Sequence, residues 1–358
     1  MLRVFIDNQV FSWQLIGGVS RYFAEIIRNT PIEEKIQYKY NFIGTRNYYL
    51  NNYEIFKYST NPIIRKIQKS QRFNQIIQPI LDHQSFDIYH PSYYNPRLFK
   101  SHNTKPIIVT FHDMTQEKYP EMFRNDVTIN HKKICADEAT HLIAVSQQTK
   151  DELVQYLNVP PNKITVIYHG IDLIDTTNIM KIIDFPYILY VGGRTLYKNF
   201  YRFINVFAEI HNKLPELNLV CTGNNFTEDE KRLIEKLNLS NCTHTILANE
   251  TELISLYKFA ECFVYPSENE GFGMPILESF RSGCPCVVSD IPCFHEVAGT
   301  SAEYFNPLNE EDMYSKIINL LSNTSRKEIM KTNGIKRCQL FTWKSSALKH
   351  INLYKSTI

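Results

Sequence analysis

What most constrains this chain is a hydrophobic period that changes back and forth along almost its whole length. Apolar runs of strand length alternate with stretches whose apolar residues recur every three or four positions. That alternation marks a parallel sheet covered by helices, because each parallel strand needs a crossover helix to bring the chain back. In the first half the spacing predicts strands over Leu2–Ile6, 86–89, 106–111, 141–145 and 164–168. In the second half it predicts them over Tyr187–Val191, 217–222, 244–247, Cys262–Tyr265 and Cys286–Ser289. Amphipathic helices are predicted over 19–28, 63–77, 150–157, 199–213, 228–237, Glu250–Phe259, 275–281, Glu310–Leu321 and 326–334.

The pattern starts twice. Between the two runs lies "GIDLIDTTNIMKIIDFPY", 170–187, polar at its start and closed by a proline, which reads as a linker. A chain of 358 residues is long for one core and suits two. The expectation is an α/β chain with a domain over 1–180 and a second over 181–340. The two would face one another across a cleft, where the C-terminal strand ends of open parallel sheets hold their ligands. In the closing segment, 341–358, Phe341, Trp343, Leu348, Ile351 and Tyr354 recur at helical spacing, which predicts a last helix packing back on the N-terminal domain. The Tyr- and Asn-rich stretch 41–58 reads as a long loop.

Hydrophobic residues make up 43% and charged residues 21% of the chain, a globular rather than a disordered composition. Lysine plus arginine total 39 against 37 acids, so no global field favours nucleic acid and any anion site must be local. No apolar run is long enough to span a bilayer, and "MLRVFIDNQVF" enters a strand without the pattern of a secretory leader. With eight scattered cysteines, this points to reduced thiols and a cytoplasmic protein. Cys284, Cys286, Cys293 and His295 lack the usual ligand spacing of zinc sites, so no metal is expected there.

The residues that follow the strands carry the functional signal. After the first strand, "IGGVSRYFAEI" places Gly17 and Gly18 before a helix, where backbone can approach a ligand and N–H groups meet phosphate. A tight turn is the plainer alternative. In "YVGGRTLYKNF", Gly192, Gly193, Arg194 and Lys198 share one strand-to-helix junction, and a guanidinium with an ammonium suits a diphosphate better than a solvated loop requires. In "SENEGFGMPILE", Glu270 precedes a glycine turn and Glu278 lies one helical turn past Pro275. Ionised carboxylates only accept hydrogen bonds, so their partner must donate, as sugar hydroxyls do. Cations and N–H groups for phosphate beside carboxylates for hydroxyls describe a nucleotide-sugar site. A glycosidase pair leaves the cations unexplained, and acids complementing a helix dipole are the bland alternative.

With these residues in place the sequence resembles glycosyltransferase family 4, retaining enzymes of the GT-B fold with two Rossmann-like α/β/α domains. Glu270 and Glu278 stand at the spacing of the family's E-x7-E motif. The likeness extends through "GGVSRY" (17–22), "TFHDM" (110–114), "AVSQQTKDEL" (144–153), "YHGID" (168–172), "YVGGRTLYKNF" (190–200), "CTG" (221–223) and "IPCFHEVAG" (291–299). The resemblance implies that Glu278 holds the donor ribose. Glu270, with Gly271, Phe272, Gly273 and Met274, would face the transferred sugar and phosphate. Arg194 and Lys198 would neutralise the diphosphate beside Gly193, helped by Gly17 and Gly18, with His112 near the reaction centre. The Arg194-to-Lys198 spacing is one or two residues shorter than in many members.

The implied donor is a nucleotide-diphosphate sugar, either GDP-mannose or a UDP-hexose, and the implied acceptor a glycan or lipid-linked glycan in polysaccharide or lipopolysaccharide biosynthesis. No cofactor and no metal are expected, since the cations stand where a metal would and no Asp-x-Asp motif occurs. The dinucleotide fingerprint of oxidoreductases and epimerases is absent as well. A non-catalytic sugar-binding protein would not need clustered cations. Segment 61–81, with Arg65, Lys66, Lys69 and Arg72 among isoleucines, reads either as a helix resting on anionic lipid or as one packing on the first sheet.

Overall fold

The computed structural model describes residues 1–40, 47–52, 85–96 and 105–358. Its contacts divide the chain into two compact units, one of Met1–Gly170 with Thr342–Ile358 and one of Ile171–Phe341.

In the first unit, β1 (Leu2–Ile6) lies between β2 (Ile36–Tyr40) and β3 (Ile88–Tyr89), both parallel to it. A second parallel sheet has the order β4 (Ile108–Phe111), β5 (His141–Ala144), β6 (Ile164–Val166). Among the described residues a parallel bridge between Tyr89 and Ile107 joins the two sheets. β4 is buried along its whole length, as a strand covered on both faces requires. β2, "IQYKY", escaped the sequence reading because it alternates at an edge instead of forming an apolar run. The helix Thr128–Glu138 escaped too, since it buries little besides Lys132, Cys135 and Ala136. Within the stretch expected to be a loop, Tyr48–Asn52 is helical, its entry fastened by the Asn47 side chain, which accepts from the Tyr49 amide at 3.1 Å. The helix expected over 63–77, and the lipid-facing role of 61–81, fall outside the described residues.

The helix Gly18–Arg28 turns Tyr22, Phe23, Ala24 and Ile26 inward, and the helix Trp343–Thr357 packs on it. That last helix starts where the Thr342 side chain accepts from the Ser345 amide at 3.1 Å, and it buries Trp343, His350, Ile351 and Tyr354.

The second unit is built on one six-stranded sheet, parallel throughout: β12 (Glu303–Phe305), β11 (Cys286–Ser289), β10 (Cys262–Tyr265), β7 (Tyr187–Val191), β8 (Asn218–Thr222), β9 (Thr243–Ile246). Against it the helix Phe200–Lys213 buries Phe200, Phe203, Ile204, Phe207 and Ile210, each worth about 1.5–3 kcal/mol relative to exposure. Reciprocal capping boxes start the helices Glu228–Lys236, through Thr227 and Glu230, and Glu250–Phe259, through Asn249 and Glu252. The linker belongs to this unit. Lys258 Nζ donates to the Thr176 carbonyl at 2.7 Å and Ser255 Oγ to the Met180 carbonyl at 2.6 Å.

Candidate active site

The strand order of the second unit locates a crevice before any side chain is considered. From β7 the chain steps to β8 and β9 on one side, then crosses back to lay β10 on the other side of β7. The loops leaving β7 and β10 therefore diverge at the point where open α/β sheets take their ligands.

Those two loops carry Lys198 and Glu270, and the structure joins them: Lys198 Nζ donates to Glu270 Oε1 at 2.6 Å, with both side chains part-buried. The loop after β7 has a fixed shape. Gly192 adopts φ +117°, a conformation a side chain would strain, and Asn199 closes the loop in the left-handed region. The Tyr190 hydroxyl ties it down by donating to the Gly193 carbonyl at 2.6 Å, and a Cβ at Gly193 would meet nothing within 4 Å. Asn199 Nδ2 reaches across to the Pro266 carbonyl at 3.0 Å and the Pro307 carbonyl at 2.8 Å. Arg202 pairs with Glu268 at 2.8 Å. Sequence reasoning passed over Asn199, Arg202 and Glu268 because each acts on a segment far away in sequence, and over Tyr190 because it lies inside a strand that reads as an apolar run.

After β10, Gly273 takes φ +110°, and a Cβ there would sit 3.1 Å from the Phe294 ring. The residue must be glycine for the turn to run into the helix Met274–Arg281, which has Pro275 in its first turn. Gly271 and Phe272 are buried, and Met274 opens the helix. Glu278 lies one turn further on, part-buried, with its Oε2 accepting from the Tyr257 hydroxyl at 3.4 Å. Arg194 has a different setting. It is 7% exposed, with Nε on Glu230 Oε1 at 3.0 Å and Nη2 on the carbonyls of Asn224 and Asn225 at 2.8 and 3.0 Å.

The sequence-selected residues of the first unit form a second group. Gly17 is the N-cap of the helix that starts at Gly18, where a Cβ would meet nothing within 4 Å. The preceding loop is held by buried Asp7, whose Oδ1 accepts from Ser92 Oγ at 2.6 Å. One turn into the helix, the Tyr22 ring meets His112 edge-on at 5.0 Å and His169 at 5.1 Å. Burial lowers His112 to about 4, so its imidazole is neutral at pH 7. For neighbouring Asp113, burial pushes upward, but Lys132 and the bonds from Thr115 outweigh it and hold the carboxyl below its ordinary value.

Behind His112 runs a hydrogen-bond chain that sequence reasoning missed, and its proton order follows from one end. His350 Nδ1 sits 2.7 Å from the Ser346 carbonyl, which only accepts, so Nδ1 carries the proton and Nε2 is bare. Tyr22 therefore donates to His350 Nε2 at 2.5 Å and accepts from Thr110 at 3.0 Å. Thr110 in turn accepts from His90 Nε2 at 2.9 Å, which leaves His90 Nδ1 to accept from Tyr354 at 2.7 Å. Burial lowers the pKa of His90, His169 and His350 alike, to about 4 for His350, which fits neutral rings throughout.

All eight cysteines are buried free thiols, and among the described residues no group of three or more His, Cys, Asp or Glu is placed to hold a metal ion. Nor is any described helix long and apolar enough to cross a membrane.

Two parallel α/β units of this kind are the architecture of the GT-B fold. The whole chain superposes on solved examples of that fold. A sucrose-phosphate synthase from Thermosynechococcus elongatus gives a TM-score of 0.76 at 16% identity, covering 99% of each chain. Anabaena HepE in complex with UDP and glucose gives 0.74 at 15% identity, covering 99% of this chain and 100% of that one. Residues 16–174 match the family model for Glycosyltransferase Family 4, and residues 178–337 match that for Glycosyl transferases group 1. The chain belongs to glycosyltransferase family 4. It is 33% identical over 231 residues to the O-antigen chain mannosyltransferase RfbU of Salmonella typhimurium, covering 62% of this chain and 63% of that protein. It is also 26% identical over 283 residues to O-antigen chain mannosyltransferase B of Escherichia coli, covering 74% of each.

Proposed function

We propose that this protein transfers a hexose, with retention of anomeric configuration and without a metal ion, from a nucleotide-diphosphate sugar to a glycan or lipid-linked glycan in lipopolysaccharide-type biosynthesis. The observation that carries this reading is the Lys198–Glu270 pair, 2.6 Å apart at the switch point of the second sheet, with Glu278 on the helix that follows. A diphosphate arriving there takes Lys198 and the amides from Phe272 to Met274, which leaves Glu270 to accept sugar hydroxyls and Glu278 to accept from the ribose. Relatives named as mannosyltransferases favour mannose, and therefore GDP-mannose, over a UDP-hexose. The first unit takes the acceptor, and the site of action is the cytoplasm.

Breaking the sugar–phosphate bond leaves negative charge on the diphosphate. A fixed donor aimed at such charge typically contributes about 3–4 kcal/mol to lowering the barrier. Glu270 and Glu278 each have partners on the donor, so neither is assigned as a nucleophile. A diphosphate oxygen takes the acceptor proton on the same face from which the bond breaks. His112, neutral at pH 7, is assigned to orient or stabilise the sugar, so its loss slows transfer without altering stereochemistry.

The test is incubation with GDP-mannose and UDP-hexoses plus an O-antigen-type acceptor in excess EDTA, with product NMR. Transfer of mannose with the donor's anomeric configuration is expected. An inverted product removes retention, and activity that requires added magnesium or manganese removes metal independence.

A further inference from the structure

We infer that Arg194 is a positioning residue: it clamps the loops after β7 and β8 into one wall of the nucleotide site, while Lys198 is the cation that meets the phosphate. This assignment rests on the donor reading above, but the geometry behind it is independent of any ligand.

β7 and β8 are paired in register to their ends, with Val191 opposite Thr222. The next residue on each strand is a glycine with positive φ, Gly192 at +117° and Gly223 at +113°. There the two chains peel apart and the backbone ladder stops, leaving carbonyls of the second loop without a strand to bond. Arg194 supplies what the ladder no longer does. Its Nη2 donates to the carbonyls of Asn224 and Asn225 at 2.8 and 3.0 Å, and its Nε donates to Glu230 Oε1 at 3.0 Å. A planar guanidinium can make these contacts together, whereas a lysine ammonium cannot span them. The Phe226 ring lies 4.9 Å below the guanidinium carbon and Phe200 5.9 Å away, so the fork is held by aromatic faces as well.

Glu230 does two jobs. While Oε1 holds Arg194, Oε2 accepts from the Thr227 amide at 2.7 Å and closes the capping box of the next helix. One buried carboxylate thus fixes the first loop, the second loop and the helix start to one another. Both partners are nearly sealed from solvent, the side chains being 7% and 3% exposed, so the charge pair is engaged inside the protein. A cation sealed this way is poorly placed to turn to a mobile diphosphate, whereas Lys198, paired with Glu270, is 21% exposed.

The experiment combines hydrogen–deuterium exchange of the ligand-free protein with calorimetry, using GDP, GMP, UDP and UMP. The variants are Arg194→Met, Arg194→Lys, Glu230→Gln and the Arg194→Met/Glu230→Gln double. Glutamine can still accept from the Thr227 amide, so Glu230→Gln keeps the cap and tests the clamp even if an arginine variant folds poorly. The clamp predicts faster exchange at both 192–199 and 223–226 in every variant. It also predicts that diphosphate and monophosphate affinities fall by the same factor, about tenfold, with the double variant no worse than Arg194→Met. Unchanged exchange at 223–226 overturns the clamp. So does a loss confined to the diphosphates that Arg194→Lys rescues and Glu230→Gln does not share, since that is the signature of a phosphate ligand. Exchange is read without nucleotide, so a protein that bound none of the four would refute the donor reading and still leave the clamp decided.

Discussion

The two units assemble polar chemistry in opposite ways. In the second, the groups are charged and meet beside the ends of neighbouring strands: Lys198 with Glu270 between two loops, Arg194 with Glu230 between a loop and the first turn of a helix. In the first, beside a charged cluster of buried Lys132 with Asp113 and Glu117, a neutral network is gathered from the whole length of the unit: Tyr22, His90, Thr110, His350 and Tyr354 in one chain of hydrogen bonds, with His112 and His169 against the Tyr22 ring. The part-exposed Lys198–Glu270 pair at the sheet's switch point can exchange a protein partner for a charged ligand, while the sealed Arg194–Glu230 pair holds the loops around it. A buried neutral chain with every proton assigned cannot change partners without leaving an unsatisfied group, so it fixes positions. The second unit is accordingly the one suited to bind a diphosphate, and the first holds His112 in a rigid setting.

The largest effect that would break this contrast concerns Lys198. Lys198→Ala is expected to lower turnover by about a hundred- to a thousandfold with little change in melting temperature. A near-normal rate in the folded variant would remove the lysine from the chemistry. Next in size, His350→Ala should destabilise the first unit by about 3 kcal/mol, since it deprives the Tyr22 hydroxyl of its acceptor and leaves a cavity. Urea unfolding followed by tryptophan fluorescence reads this directly, because both tryptophans, Trp13 and Trp343, lie in that unit. A midpoint equal to wild type would show the chain of bonds to be dispensable.

A third prediction concerns pH. The buried histidines have pKa values below the ordinary 6.5, to about 4 for His112 and His350. Between 6.5 and 4 the unfolded state therefore binds more protons than the folded one, and stability falls as pH drops through that window. Each such histidine contributes a slope of up to about 1.4 kcal/mol per pH unit. His350→Gln should flatten the tryptophan-detected slope by about one proton. An unchanged slope would mean that His350 is already protonated in the fold. The smallest effect expected is that of Tyr257→Phe, which removes the hydroxyl bonded to Glu278 at 3.4 Å and should weaken donor binding by less than about threefold. A tenfold loss would make that hydroxyl a ligand rather than a support.

The same contrast explains what was legible in the sequence. Gly192, Lys198 and Glu270 follow strands that are plain apolar runs, and Glu278 stands one turn into the next helix, so local spacing singled them out as candidates. The proton-ordered chain was invisible because Tyr22 and His350 are 328 residues apart and meet through tertiary packing. Thr110, inside a buried strand, looks like any strand residue until His90 and Tyr22 arrive on either side. Arg194 lies between these cases. Its position at a strand end was readable, but its commitment to Glu230 depends on a helix cap that local spacing does not link to it. β2 escaped because an edge strand has no reason to be uniformly apolar.

The proposed function depends above all on the second unit holding the donor's nucleoside diphosphate at Lys198 and Glu278. Calorimetric titration of GDP and UDP in EDTA into wild type, Lys198→Ala, Glu278→Ala and His350→Ala tests it most directly. Wild type is expected to bind one of the two, the first two variants to lose about tenfold or more in affinity, and folded His350→Ala to bind as wild type does. Undiminished affinity in Lys198→Ala and Glu278→Ala, or a loss confined to His350→Ala, would contradict it.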